Sequence, residues 1–226
     1  MPNNVSIKRV RSVIEELDRD GDKEVFPDDP NVSQFRRVSI PSAEGASLRE
    51  WVIKEKVVNS IEIGLAFGFS ALHICEGLLQ NNEENAKHTI IDAFQTQKDK
   101  YDNVGLNILA RAGLDRIIEF HGEKSQLVLP HFLREGRKFD FGYIDGCHLF
   151  DYVFLDLFYL GQLIKMKGII YIDDLQYPAF RKATSFFLKN LDWKIEEKGS
   201  DKEREWLVMR TSQKQDKRHF KYFIDF

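Results

Sequence analysis

The sequence predicts an α/β fold with a doubly wound, mostly parallel sheet. From Ser60 onward, five short apolar runs typical of buried strands alternate with helical stretches. This alternation indicates a parallel sheet covered by helices on both faces. After Asp174 a helix leads into two further strands that are joined by the polar turn GSDKE, a pattern that favours an antiparallel hairpin. We therefore expect a parallel sheet that ends in an antiparallel C-terminal hairpin.

The predicted strands indicate where functional residues should gather. In chain order they are SIEIG, HTIID, RIIEF, FDFGYID and GIIYIDD, followed by the hairpin strands DWKIEEKG and EREWLVMRTS. Right-handed crossovers place the carboxyl ends of all parallel strands at one edge of the sheet. Ligands of open α/β sheets bind at that edge, so residues that follow these strands are the first candidates for a site.

Three regions are predicted along the chain. Residues 1–58 form a helical lead-in that is interrupted by DRDGDKE and by a turn at Pro27–Pro30, residues 59–212 form the α/β domain, and residues 213–226 form a basic and then aromatic tail.

Asp18, Asp20 and Asp22 of the lead-in suggest a calcium loop. The loop positions that need glycine and glutamate hold Lys23 and Asp29 instead. A solvated acidic turn is the better interpretation.

Composition limits the class of partner. The chain has 226 residues, a net charge of -3 and a pI of about 6.1, so there is no basic field to attract nucleic acid. The N-terminus lacks the apolar core of a signal peptide, and no run is long enough to span a membrane. Two cysteines, Cys75 and Cys147, are too few for a disulfide framework. We expect a cytoplasmic protein in which Cys147 is a packing residue.

The strongest motif is SIEIGLAFGFS, residues 60–70. A buried strand ends near Glu62, the chain turns through Gly64 and Gly68, and a helix opens near Ser70. Glycines allow a tight turn and a close backbone approach to a ligand, and a helix N-terminus offers free amides to an anionic group. The spacing E-x-G-x-x-x-G lacks the third glycine of the dinucleotide fingerprint. A plain glycine turn is the alternative.

Two further loops carry candidate ligand contacts. Asp92 closes HTIID and could accept hydrogen bonds from ribose hydroxyls, although strand ends often carry aspartate. Gly122, Glu123 and Ser125 follow the third strand and could border an adenine ring. An ordinary polar loop is the alternative for this second segment.

Carboxylates converge after the fourth and fifth strands. Asp145 follows FDFGYI, and Asp173 and Asp174 follow GIIYI. Like charges this close favour a bound cation, and carboxylate oxygens are ligands that Mg²⁺ prefers. A solvated acidic rim is the alternative. His148 is a candidate general base, with a structural role as the alternative.

In this order, the motifs resemble those of the class I S-adenosylmethionine-dependent methyltransferases, over roughly Ser60 to Ser212. SIEIGLAFGFSA is similar to the motif of the catechol and caffeoyl-coenzyme A O-methyltransferases and their bacterial relatives. IDGCH with the later Asp156 resembles the branch with an I-D-G-x-H segment, which includes sugar O-methyltransferases.

The resemblance implies a Rossmann-like, seven-stranded sheet whose last hairpin is antiparallel. It places Glu62, Gly64 and nearby Ser70 at the methionine end of the cofactor, Asp92 at the ribose and Ser125 at the adenine. The complete predicted cofactor set is Glu62, Gly64, Gly68, Ser70, Asp92, Gly122, Glu123, Ser125 and Asp145.

The resemblance also implies a magnesium site and O-methylation of a small-molecule acceptor. The metal ligands would be Asp145, Asp173 and Asp174. The predicted catalytic residues are Asp145 and His148, the latter from the chemistry of its side chain. HGEKS is one residue longer than the usual G-x-S spacing, Cys147 stands where some relatives have an acidic base, and Asp174 replaces the asparagine of the catechol enzymes. A non-catalytic binding module and a nicotinamide-dependent oxidoreductase are the alternative functions, and a homo-oligomer is compatible with all three.

Overall fold

A computed structural model describes residues 6–28 and 34–226, and the chain divides into two compact units. The first unit comprises Met1–Val58 and Leu65–Glu123, and the second comprises Asn59–Gly64 and Lys124–Phe226. In chain order the elements are α1 (Ile7–Val25), α2 (Gln34–Val38), α3 (Ser42–Lys54), β1 (Asn59–Ile63), α4 (Phe69–Asn81), β2 (Lys87–Ile91), α5 (Val104–Arg111), β3 (Ile118–His121), α6 (Ser125–Arg134), β4 (Phe139–Ile144), α7 (Phe150–Leu163), β5 (Ile164–Ile172), α8 (Pro178–Asn190), β6 (Lys194–Asp201) and β7 (Arg204–Arg210).

The first unit packs helices around a pair of parallel strands, β2 and β3. Helix α1 continues through DRDGDKE to Val25, where the sequence predicts an interruption, and only Asp20 leaves helical geometry. The acidic residues of this segment have partners within the unit: Asp22 accepts the backbone N–H of Phe35 at 2.8 Å, and Asp18 accepts the hydroxyl of Ser42. The predicted turn at Pro27–Pro30 lies partly outside the described residues, and Asp29 lies wholly outside them.

The second unit contains five strands in the order β1-β4-β5-β7-β6. The β1–β4 and β4–β5 pairs are parallel, and the β5–β7 and β6–β7 pairs are antiparallel. The predicted hairpin is therefore present. Its turn is shorter than GSDKE, since only Lys202 and Glu203 separate the two strands.

The core of the second unit is apolar on both sides of β4 and β5. Phe141, Tyr143 and Tyr171 are fully buried. Gly142 brings α7 close to the sheet, because a Cβ at this position would lie 3.1 Å from the side chain of Leu160.

The C-terminal tail, residues 213–226, packs on α8. The side-chain amide of Asn190 donates to the carbonyl of Ile224 at 2.9 Å, and the N–H of Ile224 donates back to the Asn190 oxygen at 2.8 Å. The rings of Phe186 and Phe226 meet edge-on with centroids 5.1 Å apart. Among the described residues, no helix has both the length and the apolar character that crossing a membrane requires.

Candidate active site

The glycine turn after β1 is built by close backbone packing. Gly64 has a φ of +90°, and a Cβ built on it would lie 1.9 Å from the carbonyl oxygen of Asp145. The N–H of Asp145 donates to the carbonyl of Ile63 at 2.9 Å. The end of β1 and the end of β4 are therefore in backbone contact, and this contact leaves no room for a side chain at position 64.

Gly68 directly precedes α4 and has a left-handed φ of +78°. Its N–H donates to the carbonyl of Leu65 at 2.7 Å, which closes the turn before the helix begins. Glu62 is fully buried in β1, and Ser70 is buried in the first turn of α4. The predicted strand, turn and helix are therefore present in this order.

Asp92 holds the glycine turn in the first unit. Its Oδ2 accepts the backbone N–H groups of Leu65 at 2.9 Å and Ala66 at 3.2 Å, and its Oδ1 accepts the N–H of Phe94 at 2.8 Å. Gln95 adds a second brace by donating to the carbonyl of Ala66 at 2.6 Å. The role of Gln95 has no motif in the sequence, because it depends on a contact across 29 positions.

The third predicted loop, after β3, contains an exposed residue and a residue that hydrogen-bonds within the protein. Gly122 and Glu123 follow β3, and Glu123 is exposed. Ser125 begins α6 and hydrogen-bonds the buried carboxyl of Asp156 on α7. Burial raises the pKa of Asp156 to about 7. Asp156 therefore contacts the first residue of α6, and the spacing between Asp156 and IDGCH does not predict this contact.

Three acidic or basic side chains meet where β4 and β5 end. The Nε2 atom of His148 lies 2.8 Å from a carboxylate oxygen of Asp174 and 3.8 Å from one of Asp145. One ligand atom from each of the three residues lies within 4.8 Å of the others. The convergence of Asp145 and Asp174 is the arrangement that the strand ends predict, and His148 completes the group.

Asp173 points to a different partner. Its carboxylate is fully buried, and one oxygen lies 3.2 Å from the guanidinium of Arg204 at the start of β7. The other oxygen accepts the backbone N–H of Asp174 at 2.5 Å. The sequence identifies Asp173 but not Arg204, because the hairpin that carries the arginine has no functional motif.

Asp174 is fixed by its neighbours in a left-handed conformation with a φ of +59°. Gln176 donates its side-chain amide to Asp174 at 2.5 Å and accepts the N–H of Glu205 at 2.8 Å. The N–H of Leu175 also donates to the carbonyl of Glu205, at 2.8 Å. The hairpin therefore braces the aspartate whose oxygen contacts His148.

The electrostatics of the cluster are strongly coupled. The carboxylates of Asp145 and Asp174 raise the pKa of His148 to about 10. Loss of hydration, with a smaller contribution from the charges of Asp173 and Asp174, raises the pKa of Asp145 to about 8. The three residues thus share protons as a unit at neutral pH.

Aromatic rings flank His148. The Tyr177 ring lies 5.3 Å away at 32°, and the buried Phe180 ring lies 5.4 Å away in an edge-on arrangement. Tyr177 is 45% exposed, so it offers a planar surface beside the cluster. By contrast, the prediction that Cys147 packs in the interior is wrong: its side chain is exposed because it lies in the turn between β4 and α7.

A mostly parallel sheet with a glycine turn after its first strand and aspartates at later strand ends is typical of the Rossmann-like folds. Residues 61–175, just over half of the chain, match the model of a family described as a methyltransferase domain. The chain belongs to this methyltransferase family.

A curated relative from Arabidopsis thaliana bears the name of a caffeoyl-CoA O-methyltransferase. It is 30% identical over 143 residues, which are 63% of this chain. The match spans 57% of the length of that relative.

Solved structures of O-methyltransferases share the fold. One from Bacillus cereus, in complex with SAH, has a TM-score of 0.68 at 13% identity over 91% of each chain. TomG from Streptomyces achromogenes, involved in tomaymycin synthesis and in complex with SAM, has a TM-score of 0.69 at 13% identity, over 91% of this chain and 90% of its own. The prediction of a seven-stranded, Rossmann-like methyltransferase fold is confirmed.

Proposed function

We propose that the chain is an S-adenosylmethionine-dependent methyltransferase that methylates a hydroxyl group of a small molecule. The contact between the end of β1 and the end of β4 carries this proposal: Asp145 donates its backbone N–H to Ile63, so the cofactor turn at Gly64 adjoins the proton-sharing cluster. A methyl donor bound at the turn would have its acceptor beside groups that can take up a proton. Family membership and the cofactors named for the Bacillus and Streptomyces structures support the same proposal.

The proposed cofactor contacts are those that the sequence predicts. Gly64 and Gly68 give the backbone access, Asp92 would accept from ribose hydroxyls, and Ser125 would lie at the adenine. The other proposed contacts are Glu62, Ser70, Gly122, Glu123 and Asp145.

In the proposed reaction, the acceptor oxygen attacks the methyl carbon of the sulfonium and the carbon–sulfur bond breaks. The electron pair of that bond stays on sulfur, and the hydroxyl proton passes to the coupled pair Asp145–His148. Holding the two reactants in line contributes on the order of 7–11 kcal/mol in favourable cases. Two carboxylates hold His148 in its protonated form, and burial also favours the protonated form of Asp145, so the pair would accept the proton in those molecules in which Asp145 is ionised.

Magnesium assistance is a further part of the proposal. Asp145 and Asp174 supply the hard oxygen ligands that Mg²⁺ prefers, and Asp173, the predicted third ligand, would have to exchange Arg204 for the ion. A bound ion would stabilise the developing alkoxide of the acceptor as a Lewis acid. The side chains of Asp145 and Asp174 would hold the ion. His148 would neutralise the charge of these two carboxylates when no ion is bound.

Two measurements test the proposal. Calorimetry with S-adenosylmethionine and its demethylated product should detect binding to the wild type and weaker binding to Asp92→Ala. Incubation with methyl-labelled cofactor and a cell extract should then transfer label to a small hydroxylated compound, and a chelator should reduce the transfer. Binding with no transfer to any acceptor would support the non-catalytic module instead, and absence of binding would end the methyltransferase proposal.

The small-molecule acceptor, the cytoplasmic location and a homo-oligomeric state remain predictions. Exposed aromatic surface at Tyr177 beside His148 favours a planar acceptor.

A further inference from the structure

A cavity lies in the second unit, away from the proposed active site. Its volume is about 1320 Å³. Lys138, which precedes β4, and Ile164, which begins β5, line it, whereas Asp145 and Asp173 follow these two parallel strands. The cavity is therefore at the amino ends of the strands, opposite the edge that carries the acidic cluster.

One wall of the cavity is aromatic. Phe187 and Trp193 stack with centroids 4.9 Å apart, and Phe154 meets Phe186 at 5.1 Å. Trp193 can contact α7 this closely only because position 161 is glycine: a Cβ there would be 2.7 Å from the indole ring. Phe158 adds a ring that is 46% exposed. Phe187 and Trp193 are buried, so the apolar surface that this wall offers to an occupant comes mainly from Phe158 and from the partly buried Phe154 and Phe186.

The charged residues of the lining are mostly basic. Five cationic side chains and two carboxylates contribute to it: Lys138, Lys165, Lys214, Lys217, Arg218, Asp192 and Asp216. Arg218 pairs with Asp216 at 2.8 Å, and Lys165 pairs with Asp140 at 2.5 Å.

Lys214 and Lys217, both exposed, enter no ion pair within residues 6–28 and 34–226. The cavity therefore carries an excess of positive charge on the C-terminal tail.

The tail forms a wall of the cavity. Asn190 fixes it by exchanging two hydrogen bonds with Ile224, and Lys189 donates to the carbonyl of Asp225 at 3.1 Å. Tyr222 and Arg218 of the tail line the cavity, and the Arg218 guanidinium lies 5.9 Å from the Phe186 ring. The basic residues of the tail therefore lie beside the aromatic wall of the cavity.

We propose that this cavity binds a medium-chain fatty acid. The acyl chain would lie against the aromatic wall, and the carboxylate would bind Lys214 and Lys217. An apolar wall with cations on one side matches an amphipathic anion. Leu133, Met166 and Leu191 also line the cavity, and a flexible chain fits this irregular lining better than a rigid ring does.

Trp193 provides a reporter inside the site. Titration of the full chain with monomeric laurate should change its fluorescence in a saturable manner, and the change should be absent from Trp193→Phe, which retains Trp51 and Trp206. Affinity should rise about fourfold for each methylene from octanoate to laurate, because each buried methylene adds apolar contact. Dodecyltrimethylammonium, with the same chain and the opposite charge, should bind at least tenfold more weakly.

The cationic side is tested by charge reversal. Lys214→Glu/Lys217→Glu should weaken laurate binding at least tenfold, whereas Lys8→Glu/Lys23→Glu, the same charge change on exposed positions of α1, should leave it unchanged. Thermal unfolding of each variant establishes that the fold is kept, and binding of S-adenosylmethionine is measured in parallel.

A fluorescence response that persists in Trp193→Phe, equal binding of the cationic detergent, or equal weakening by both double variants would overturn the proposal. So would a response seen only above the micellar concentration or only with anionic vesicles, because each indicates partition into an aggregate rather than a site.

Discussion

The glycine turn and the acidic cluster are built by different means. At the turn, Gly64 has no space for a side chain, and Asp92 satisfies backbone N–H groups of Leu65 and Ala66. At the cluster, side chains satisfy one another: His148 contacts Asp174, and Arg204 contacts Asp173. Backbone packing and backbone hydrogen bonds therefore determine the structure of the turn. Attraction between oppositely charged side chains determines the structure of the cluster.

This difference determines which changes each region tolerates. A backbone turn is limited by steric exclusion, so the addition of one methyl group is enough to disrupt it. The charges of the cluster are buried, so removal of one partner leaves the other charge buried without compensation, which is unfavourable. The predictions below test each limit with a matched substitution elsewhere in the chain.

The largest effect is expected for Gly64→Ala. The new Cβ would lie 1.9 Å from the carbonyl oxygen of Asp145, and a backbone atom cannot move aside as a flexible side chain can. We expect a loss of more than about 4 kcal/mol in the free energy of unfolding, measured by urea denaturation. Gly136→Ala is the control: Gly136 has a φ of +69° with nothing within 4 Å of its Cβ position, so only backbone strain of roughly 1–2 kcal/mol should appear. Equal losses in the two variants would contradict the steric argument.

The next effect is expected for Arg204→Met. Asp173 is fully buried, and removing its cationic partner should cost roughly 3–5 kcal/mol of unfolding free energy. Arg210→Met is the control on the same strand, because its carboxylate partner Glu196 has a side chain that is 28% exposed and its guanidinium also donates to the carbonyl of Lys167 at 2.7 Å, which is not a charged group. That variant should lose no more than about 1 kcal/mol. Similar losses in both variants would show that burial of Asp173 does not determine how much unfolding free energy its ion pair contributes.

The two regions also differ in how far the sequence predicts them. The E-x-G-x-x-x-G spacing identifies the turn because positive φ and close approach leave few residues besides glycine at positions 64 and 68. The strand-end rule brings Asp145 and Asp174 together. It does not reveal that Arg204 engages Asp173 or that Gln176 links Asp174 to the hairpin, since those contacts depend on how the last hairpin packs.

The same reasoning explains the elements that the sequence predicts less well. The short apolar runs predict each strand within the part of the chain that the structure describes, because burial of a strand requires apolar residues. The DRDGDKE segment is polar and still helical to Val25, because burial of Gly21 within it and of Leu17 just before it outweighs its weak local preference for helix.

A smaller effect is expected from the helix that follows the turn. His73 on α4 is buried, and neither ring nitrogen has a hydrogen-bond partner among the described residues. Burial lowers the pKa of His73 from 6.5 to about 4, with a further contribution from Arg49. The unfolded chain therefore binds more protons between these values, so stability is intact above about pH 6.5 and falls as the pH decreases toward 4.

The size of this pH effect is roughly 3 kcal/mol. It is measured by chemical denaturation at a series of pH values. His73→Leu should reduce the slope between pH 6.5 and 4, whereas replacement of the exposed His131 by leucine should preserve it. An unchanged slope in His73→Leu would mean that other groups cause the loss of stability in acid.

The smallest effect is expected for Asp92→Asn, which keeps the shape of the side chain and removes one acceptor. Asp92 uses one oxygen for Leu65 and Ala66 and the other for Phe94, so an amide must direct an NH₂ group at one of these N–H donors. The turn should loosen, and affinity for S-adenosylmethionine should fall about tenfold, which corresponds to about 1.4 kcal/mol. Hydrogen exchange at Leu65 and Ala66 provides a readout that does not depend on the cofactor, and both amides should exchange faster. Asp99→Asn, at an exposed position of the same loop, should change neither quantity. If Asp92→Asn binds the cofactor normally and protects both amides, the turn is maintained by its glycines alone and the carboxylate is not needed to hold it.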